Sequence, residues 1–182
     1  VLGLPFDTYP PYVPIDEEMP LSPESSYALS KILSEEMARQ FCRRNIDMKI
    51  FGLRYSNIME ENDYKHFETF QKDPLKRKWN LWSYIDSRDV GLACRLAFES
   101  KQKGAQNFII AANDTVMVTS YKELLDSVFP GVIVKKKYSK HETLLSNQKA
   151  KNILIILTQK KMLAEPKQFR YSHIFLQNYI KK

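Results

Sequence analysis

The apolar positions of this chain change their spacing several times, and each change predicts an element. Before Glu24 they keep no period, and Pro5, Pro10, Pro11, Pro14, Pro20 and Pro23 interrupt them, so residues 1 to 23 read as irregular loop. From Glu24 to about Arg44, Leu29, Ile32, Leu33, Met37 and Phe41 recur at helical spacing, which predicts a helix with Pro23 in its first turn. Asp47 to Tyr55 is a short apolar-rich run that suits a buried strand. Residues 57 to 78 are polar and aromatic, with one short helix expected near His66 to Gln71, and "WNLWSYID", 79 to 86, reads as a strand. Asp86 is placed to cap a helix from Arg88 to Ser100, with Val90, Cys94, Ala97 and Phe98 on one side. "NFIIAA", 107 to 112, is the next expected strand, and Ser120 with Glu123 forms a capping box for a helix through Phe129. "VIVKKK", 132 to 137, reads as a short strand, and the chain from Leu144 onward as weakly patterned helix. Strands that alternate with helices imply an α/β layer architecture with parallel pairing.

The 182 residues, 43% hydrophobic and 12% aromatic, suffice for one domain with a real core, and no apolar run approaches a membrane span. The net charge of +7 raises the question of nucleic acid. The lysines, however, are spread along the chain and thicken after Lys135 without an aromatic-interleaved basic motif, so a solvated basic surface is expected instead. Cys42 and Cys94 both fall in helical patterns and are expected to be buried thiols, too few for a disulfide framework or a zinc site. A reducing, cytoplasmic location fits that usage. His66, His141 and His173 have no metal-ligand spacing and read as surface or loop residues, so no metal is expected. The chain opens on Val1 rather than Met, which suggests a fragment or a processed piece.

One pair carries chemistry. In "PESSYALSK", 23 to 31, Tyr27 and Lys31 stand four apart at the head of the first helix and therefore share a face. An ammonium beside a phenol favours the phenolate, whose parent acid has an ordinary pKa of about 10, and makes proton exchange with a substrate hydroxyl accessible near neutral pH. The same ammonium can bond the hydroxyls of a cofactor ribose. Taken alone the pair also fits an exposed aromatic–lysine contact, since with ten tyrosines in a lysine-rich chain such a spacing arises by chance.

The order of several further segments separates those readings. "VLG" at 1 to 3, "IDEE" at 15 to 18, "PESSYALSK", "LRYSNIM" at 53 to 59 and "YIDSRDVGLACRLA" at 84 to 97 together resemble the extended short-chain dehydrogenase/reductase family, in its NAD-dependent epimerase/dehydratase branch acting on sugar nucleotides. The resemblance covers roughly residues 1 to 150; residues 151 to 182 read as a divergent basic, helical tail. It implies a partial Rossmann-like, doubly wound sheet with a small C-terminal α/β substrate lobe. It implies NAD as cofactor, Tyr27 as catalytic acid/base, Lys31 on the nicotinamide ribose, Ser56 beside the nicotinamide and Asn57 toward the substrate. A small-molecule substrate, with a nucleotide-sugar among the candidates, and a homo-oligomer packed through the Tyr27 helix are expected partners. Arg54 is expected to be a structural ion-pair partner, Asp86 a cap, and Asp89 a solvated or ion-paired carboxylate.

The chain also departs from the family. Of its glycines Gly3, Gly52, Gly91, Gly104 and Gly131, no two form a phosphate-cradling turn, so the glycine-rich front half of the nucleotide-binding fold is expected to be missing. Trp82 stands where many relatives carry an arginine that grips a diphosphate; Arg77, Lys78 or Arg88 are the available replacements, and both Trp79 and Trp82 are expected to fill core. Half of a doubly wound sheet leaves an open edge and an uncovered apolar face, from which self-association or poor solubility follows. The alternative to a catalytic fragment is a non-catalytic remnant or binding module.

Overall fold

A computed structural model of the chain describes residues 9–154. In chain order the elements are β1 (Tyr12–Val13), α1 (Ser26–Arg44), β2 (Lys49–Tyr55), β3 (Ile58–Met59), a 3-10 turn (Glu61–His66), α2 (Phe67–Gln71), a second 3-10 segment (Pro74–Asn80), β4 (Ile85–Asp86), α3 (Ser87–Glu99), β5 (Gly104–Ile110), α4 (Tyr121–Val128), β6 (Ile133–Val134) and α5 (Gln148–Leu154). The strands form three parallel pairs, β1 with β6, β2 with β5 and β3 with β4. The mixed α/β class and the parallel pairing agree with the expectation. The expected tail falls almost wholly outside the described residues, as does His173.

The longest pair sets the frame. Lys49 lies against Gly104 and Tyr55 against Ile110, and the amide of Ser56 extends the ladder to the Ile110 carbonyl at 3.0 Å. Alternate side chains point to opposite faces of such a pair. Phe51, Leu53, Tyr55, Phe108 and Ile110 face α3 and α5, where they pack with Ile85, Ala93, Ala97, Ala150 and Leu154. The other face meets α1 through a polar contact. Glu35 of α1 takes both ends of the Arg54 guanidinium, Nε at 2.8 Å and Nη2 at 2.7 Å, and also the Asn107 amide at 2.9 Å. Gly52 makes room for this grip, because a Cβ there would stand 2.3 Å from the Asn107 Oδ1. Arg54 is therefore the structural partner the sequence suggested.

A larger core gathers around Trp82, Tyr84, Tyr64, Phe67 and Phe129, whose rings meet edge to face, with Val13, Ile15, Leu144 and Leu145 from the flanking loops. The Tyr84 hydroxyl donates to Asp114 at 2.9 Å, and the Tyr64 hydroxyl to Asp86. Asp86 caps α3 as expected, accepting the Arg88 amide at 2.9 Å, and it also holds the Arg88 side chain at 2.7 and 2.6 Å. Ser120 and Glu123 form the anticipated capping box of α4.

Several expectations fail for identifiable reasons. α1 begins at Ser26, not in the turn of Pro23, because the Ser25 hydroxyl accepts the Ala28 amide at 3.1 Å and so terminates the helix there. "WNLWSYID" is strand only at Ile85–Asp86; Trp79 and Asn80 end a 3-10 segment, and Leu81 and Trp82 take positive φ of 53° and 56°. The reason is Trp82, whose burial and indole bond to the Pro74 carbonyl at 2.8 Å require the chain to fold back. Trp82 fills core as expected, but Trp79 is exposed. "VIVKKK" pairs only at Ile133–Val134, and a short parallel partner, β1, lies in the stretch expected to be irregular. Cys42 is buried but Cys94 is exposed, 3.0 Å from the Tyr55 hydroxyl, because Phe98 and Cys94 lie on the outer side of α3 while Ala93 and Ala97 face in. Of the two expectations for Asp89, solvated or ion-paired, its burial removes the first. His66 is exposed, as read; His141 is half-buried in a loop.

Two outcomes follow from these contacts. Removing one partner of a buried bidentate pair leaves an uncompensated charge, so Glu35→Gln is expected to lower unfolding stability by about 3 kcal/mol. Glu35→Leu combined with Arg54→Met should recover most of it; urea denaturation of the two variants and wild type is the check. For Asp86, burial raises the carboxyl pKa but the Arg88 and Tyr64 hydrogen bonds outweigh it and hold the value at about 2. Since the unfolded value is about 3.9, this carboxylate contributes about 2 kcal/mol above pH 4, a contribution lost as pH falls toward 2. Asp86→Asn should flatten that acid limb in unfolding curves collected across the window.

Candidate active site

The head of α1 places the first two expected residues together. Ser25 caps the helix, the Ser30 hydroxyl folds back on the Tyr27 carbonyl at 2.8 Å, and buried Ala28 turns the helix so that Tyr27 faces outward, 59% exposed. The Lys31 ammonium lies over the Tyr27 ring, 5.3 Å from its centroid, a cation–π contact between two exposed side chains.

Ser56 and Asn57 stand just past the carboxyl end of β2, in the layer beside α1. They bridge β2 and β3, where the strand exchanges its partner: Ser56 still bonds Ile110 of β5, while the Asn57 carbonyl accepts the Ile85 amide of β4 at 2.9 Å. Both are half-buried. The Ser83 hydroxyl donates to the Asn80 carbonyl at 2.5 Å, so in its 2.7 Å contact with Ser56 it is the acceptor and Ser56 the donor. The Ser56 lone pairs thus remain available to a ligand donor.

Glu35 ties the two halves of the constellation. Tyr27, Lys31 and Glu35 form one ridge at i, i+4 and i+8. Four residues, 45 to 48, connect α1 to β2, so the helix runs back against the strand and its head shares an end with the strand's carboxyl terminus. From the Glu35–Arg54 grip, Tyr27 lies ~12 Å up the helix axis and Ser56 ~7 Å up the strand, in the same direction. The carboxyl ends of parallel strands are where open α/β sheets receive ligands. Sequence reasoning did not single out Glu35; its place one helical turn after Lys31 was the available signal.

The residues fit one end of a dinucleotide better than the other. Tyr27 and Lys31 offer a phenol and an ammonium to a ribose. Gly52 lies inside β2, Gly91 inside α3, Gly104 opens β5 at φ 87°, and Gly131, at φ 82°, lies in the turn that follows α4. None of these opens a strand–turn–helix, so no pyrophosphate cradle stands among the described residues. Trp82 is sealed in the core and touches no open surface. Among the described residues no group of three His, Cys, Asp or Glu side chains is placed to hold a metal, and no helix is long and apolar enough to cross a membrane.

Comparison with known proteins bears on the family and the fold. The model of the NAD dependent epimerase/dehydratase family matches residues 6–111, a stretch that holds Tyr27, Lys31, Ser56 and Asn57. No curated protein matches the chain. Among solved structures, it is similar to a short-chain dehydrogenase/reductase superfamily protein from Agrobacterium tumefaciens with bound NAD, at 18% identity and a TM-score of 0.54, over 86% of this chain and 60% of that one. It is similar also to UDP-glucose 4-epimerase from Thermotoga maritima with UDP-glucose, at 20% identity and a TM-score of 0.52, over 82% of this chain and 53% of that one. A third is UDP-glucuronic acid 4-epimerase from Bacillus cereus in complex with NAD, at 17% identity and a TM-score of 0.50, over 81% and 51%. At these identities the likeness establishes the Rossmann-like fold, and the chain spans 51 to 60% of the length of these structures. On the family match over more than half its residues, the chain belongs to the NAD-dependent epimerase/dehydratase family.

Proposed function

We propose that the chain carries the acid/base and ribose-anchoring part of an NAD-dependent epimerase or dehydratase acting on a carbinol carbon of a small molecule, in the sugar-nucleotide class. The observation that carries this reading is the side-by-side setting of Tyr27 and Lys31 on the helix that Glu35 fastens to the strand leading into Ser56 and Asn57. NAD, when bound, supplies the hydride acceptor. Tyr27 takes the proton of the substrate hydroxyl at its phenolic oxygen and later returns one. Lys31 offers N–H donors to ribose hydroxyls. Ser56 presents hydroxyl lone pairs beside the ring, and Asn57 an amide toward the substrate.

A second reading has its own support. Leu29, Leu33, Met37 and Phe41, each four residues apart, form an exposed apolar ridge on α1, the residues whose spacing predicted the helix. A chain that keeps this ridge without turning over substrate is a binding or oligomerisation module, with association through the Tyr27 helix.

The two readings differ in a spectroscopic experiment. With NAD, UDP-glucose or UDP-glucuronate, and a glycine-rich strand–turn–helix half that supplies the pyrophosphate cradle, the catalytic reading expects reduced nicotinamide or epimerised sugar to appear, with Tyr27→Phe slowing this about 10²- to 10⁴-fold and Lys31→Met weakening the NAD dependence. Rates that Tyr27→Phe leaves unchanged would defeat it. Concentration-dependent association by analytical ultracentrifugation, abolished by Leu33→Glu with no nicotinamide reduction in any variant, is the outcome the module reading expects.

A further inference from the structure

Arg54 and Arg88 are set in one way and Arg77 in another, and the difference points to a ligand. Arg54 grips Glu35 through Nε and Nη2, and Arg88 grips Asp86 through the same two nitrogens. This fork matches the two oxygens of a carboxylate or phosphate. In Arg77 the same fork is empty. The residue is only 9% exposed, and both Nε and Nη2 are sealed from solvent without a hydrogen-bond partner. Its guanidinium lies over the faces of Phe70 at 4.9 Å and Trp79 at 5.3 Å, which leaves the edge for hydrogen bonding. Burial lowers its pKa, and no acidic group offsets the effect. Two buried guanidinium nitrogens without an acceptor are unfavourable in a native fold.

A second orphan of opposite type occurs three residues on in the same segment. Arg77 and Asn80 are three apart in the Pro74–Asn80 segment, and in a 3-10 helix residues i and i+3 eclipse. The Asn80 amide nitrogen is committed to the Ser83 carbonyl at 2.9 Å, whereas its Oδ1 is sealed and unpartnered. One face of this short segment therefore presents a fork of two donors and, one turn on, an acceptor. The segment joins the candidate active site through Asn80, Ser83 and Ser56.

We propose that Arg77 is an oxyanion receptor: its Nε/Nη2 fork takes two oxygens of a phosphate or carboxylate, and Asn80 Oδ1 accepts a hydroxyl of the same ligand. Trp79, 47% exposed, is the cover that must turn aside to admit it. Arg88 is not available for the role, since Asp86 occupies its fork, and Trp82 is buried. That this oxyanion belongs to the substrate rests on the proposed function; the binding itself does not.

The experiment titrates the full chain with inorganic pyrophosphate, with glucuronate and with glucose, following the emission of Trp79; Trp82, the other tryptophan, is buried. A saturable change with pyrophosphate, glucuronate or both, and none with glucose, is expected, and which anion responds identifies phosphate or carboxylate as the ligand group. Arg77→Lys should weaken binding at least tenfold and Arg77→Met should abolish it. Tyr27→Phe should leave it unchanged, so loss of the catalytic reading and loss of this one are separately visible. Without anion, Arg77→Met should unfold at the same or a higher temperature than wild type. No binding by wild type at millimolar anion, or Arg77→Met that binds like wild type, overturns the proposal. So does Arg77→Met that merely unfolds earlier while wild type gains no stability from either anion.

Discussion

The grip of Glu35 on Arg54 and Asn107 decides how the parts of this protein face one another. Most of the contact between layers elsewhere is apolar and non-directional, and such contacts fix distance better than register. A bidentate ion pair fixes both. Sliding α1 by one residue would carry Glu35 away from Arg54 and leave two charges without partners, so the position of Tyr27 relative to Ser56 is set by this one contact. Gly52 belongs to the same device: only hydrogen at its α-carbon lets the Asn107 amide lie where it can bond Glu35.

The sheet faces are built on different principles. Toward α3 and α5 the strands present Phe51, Leu53, Phe108 and Ile110 to alanines and leucines, a close-packed and ordinary interior. Around Trp82 the aromatic rings meet edge to face, with the Tyr64 and Tyr84 hydroxyls led to Asp86 and Asp114, while the Tyr138 hydroxyl of the same core is buried without a partner. Toward α1 the interface is polar and ordered by charge. The outer side of α1 keeps an apolar ridge exposed, which is why the helix looks amphipathic in sequence while only Ala28 and Cys42 are buried.

The sequence showed the α/β class, α1, β2, α3, β5 and the caps at Asp86 and Ser120, because these rest on local periodicity and side-chain-to-backbone bonds within a few residues. It misled at 79 to 86, where a run of aromatic residues has strand composition but the burial of Trp82 bends the backbone into the left-handed region. It expected Cys94 to be buried because helical spacing tells which residues share a side, not which side is covered. Tyr27 and Lys31 were legible as a pair, and the family motif gave them roles. Glu35, Arg77 and Asn80 were not legible as a set, since their meaning lies in partners found or missing across the fold rather than in spacing.

The attachment of α1 has a dynamic consequence. A helix held by a few directional bonds, with little oil beneath it, separates from its layer as a unit at a lower free energy than that required to melt the aromatic interior. Tyr27 and Lys31 therefore ride on the most readily released segment of the described fold, and amide exchange along residues 26 to 44 would run ahead of that in β5.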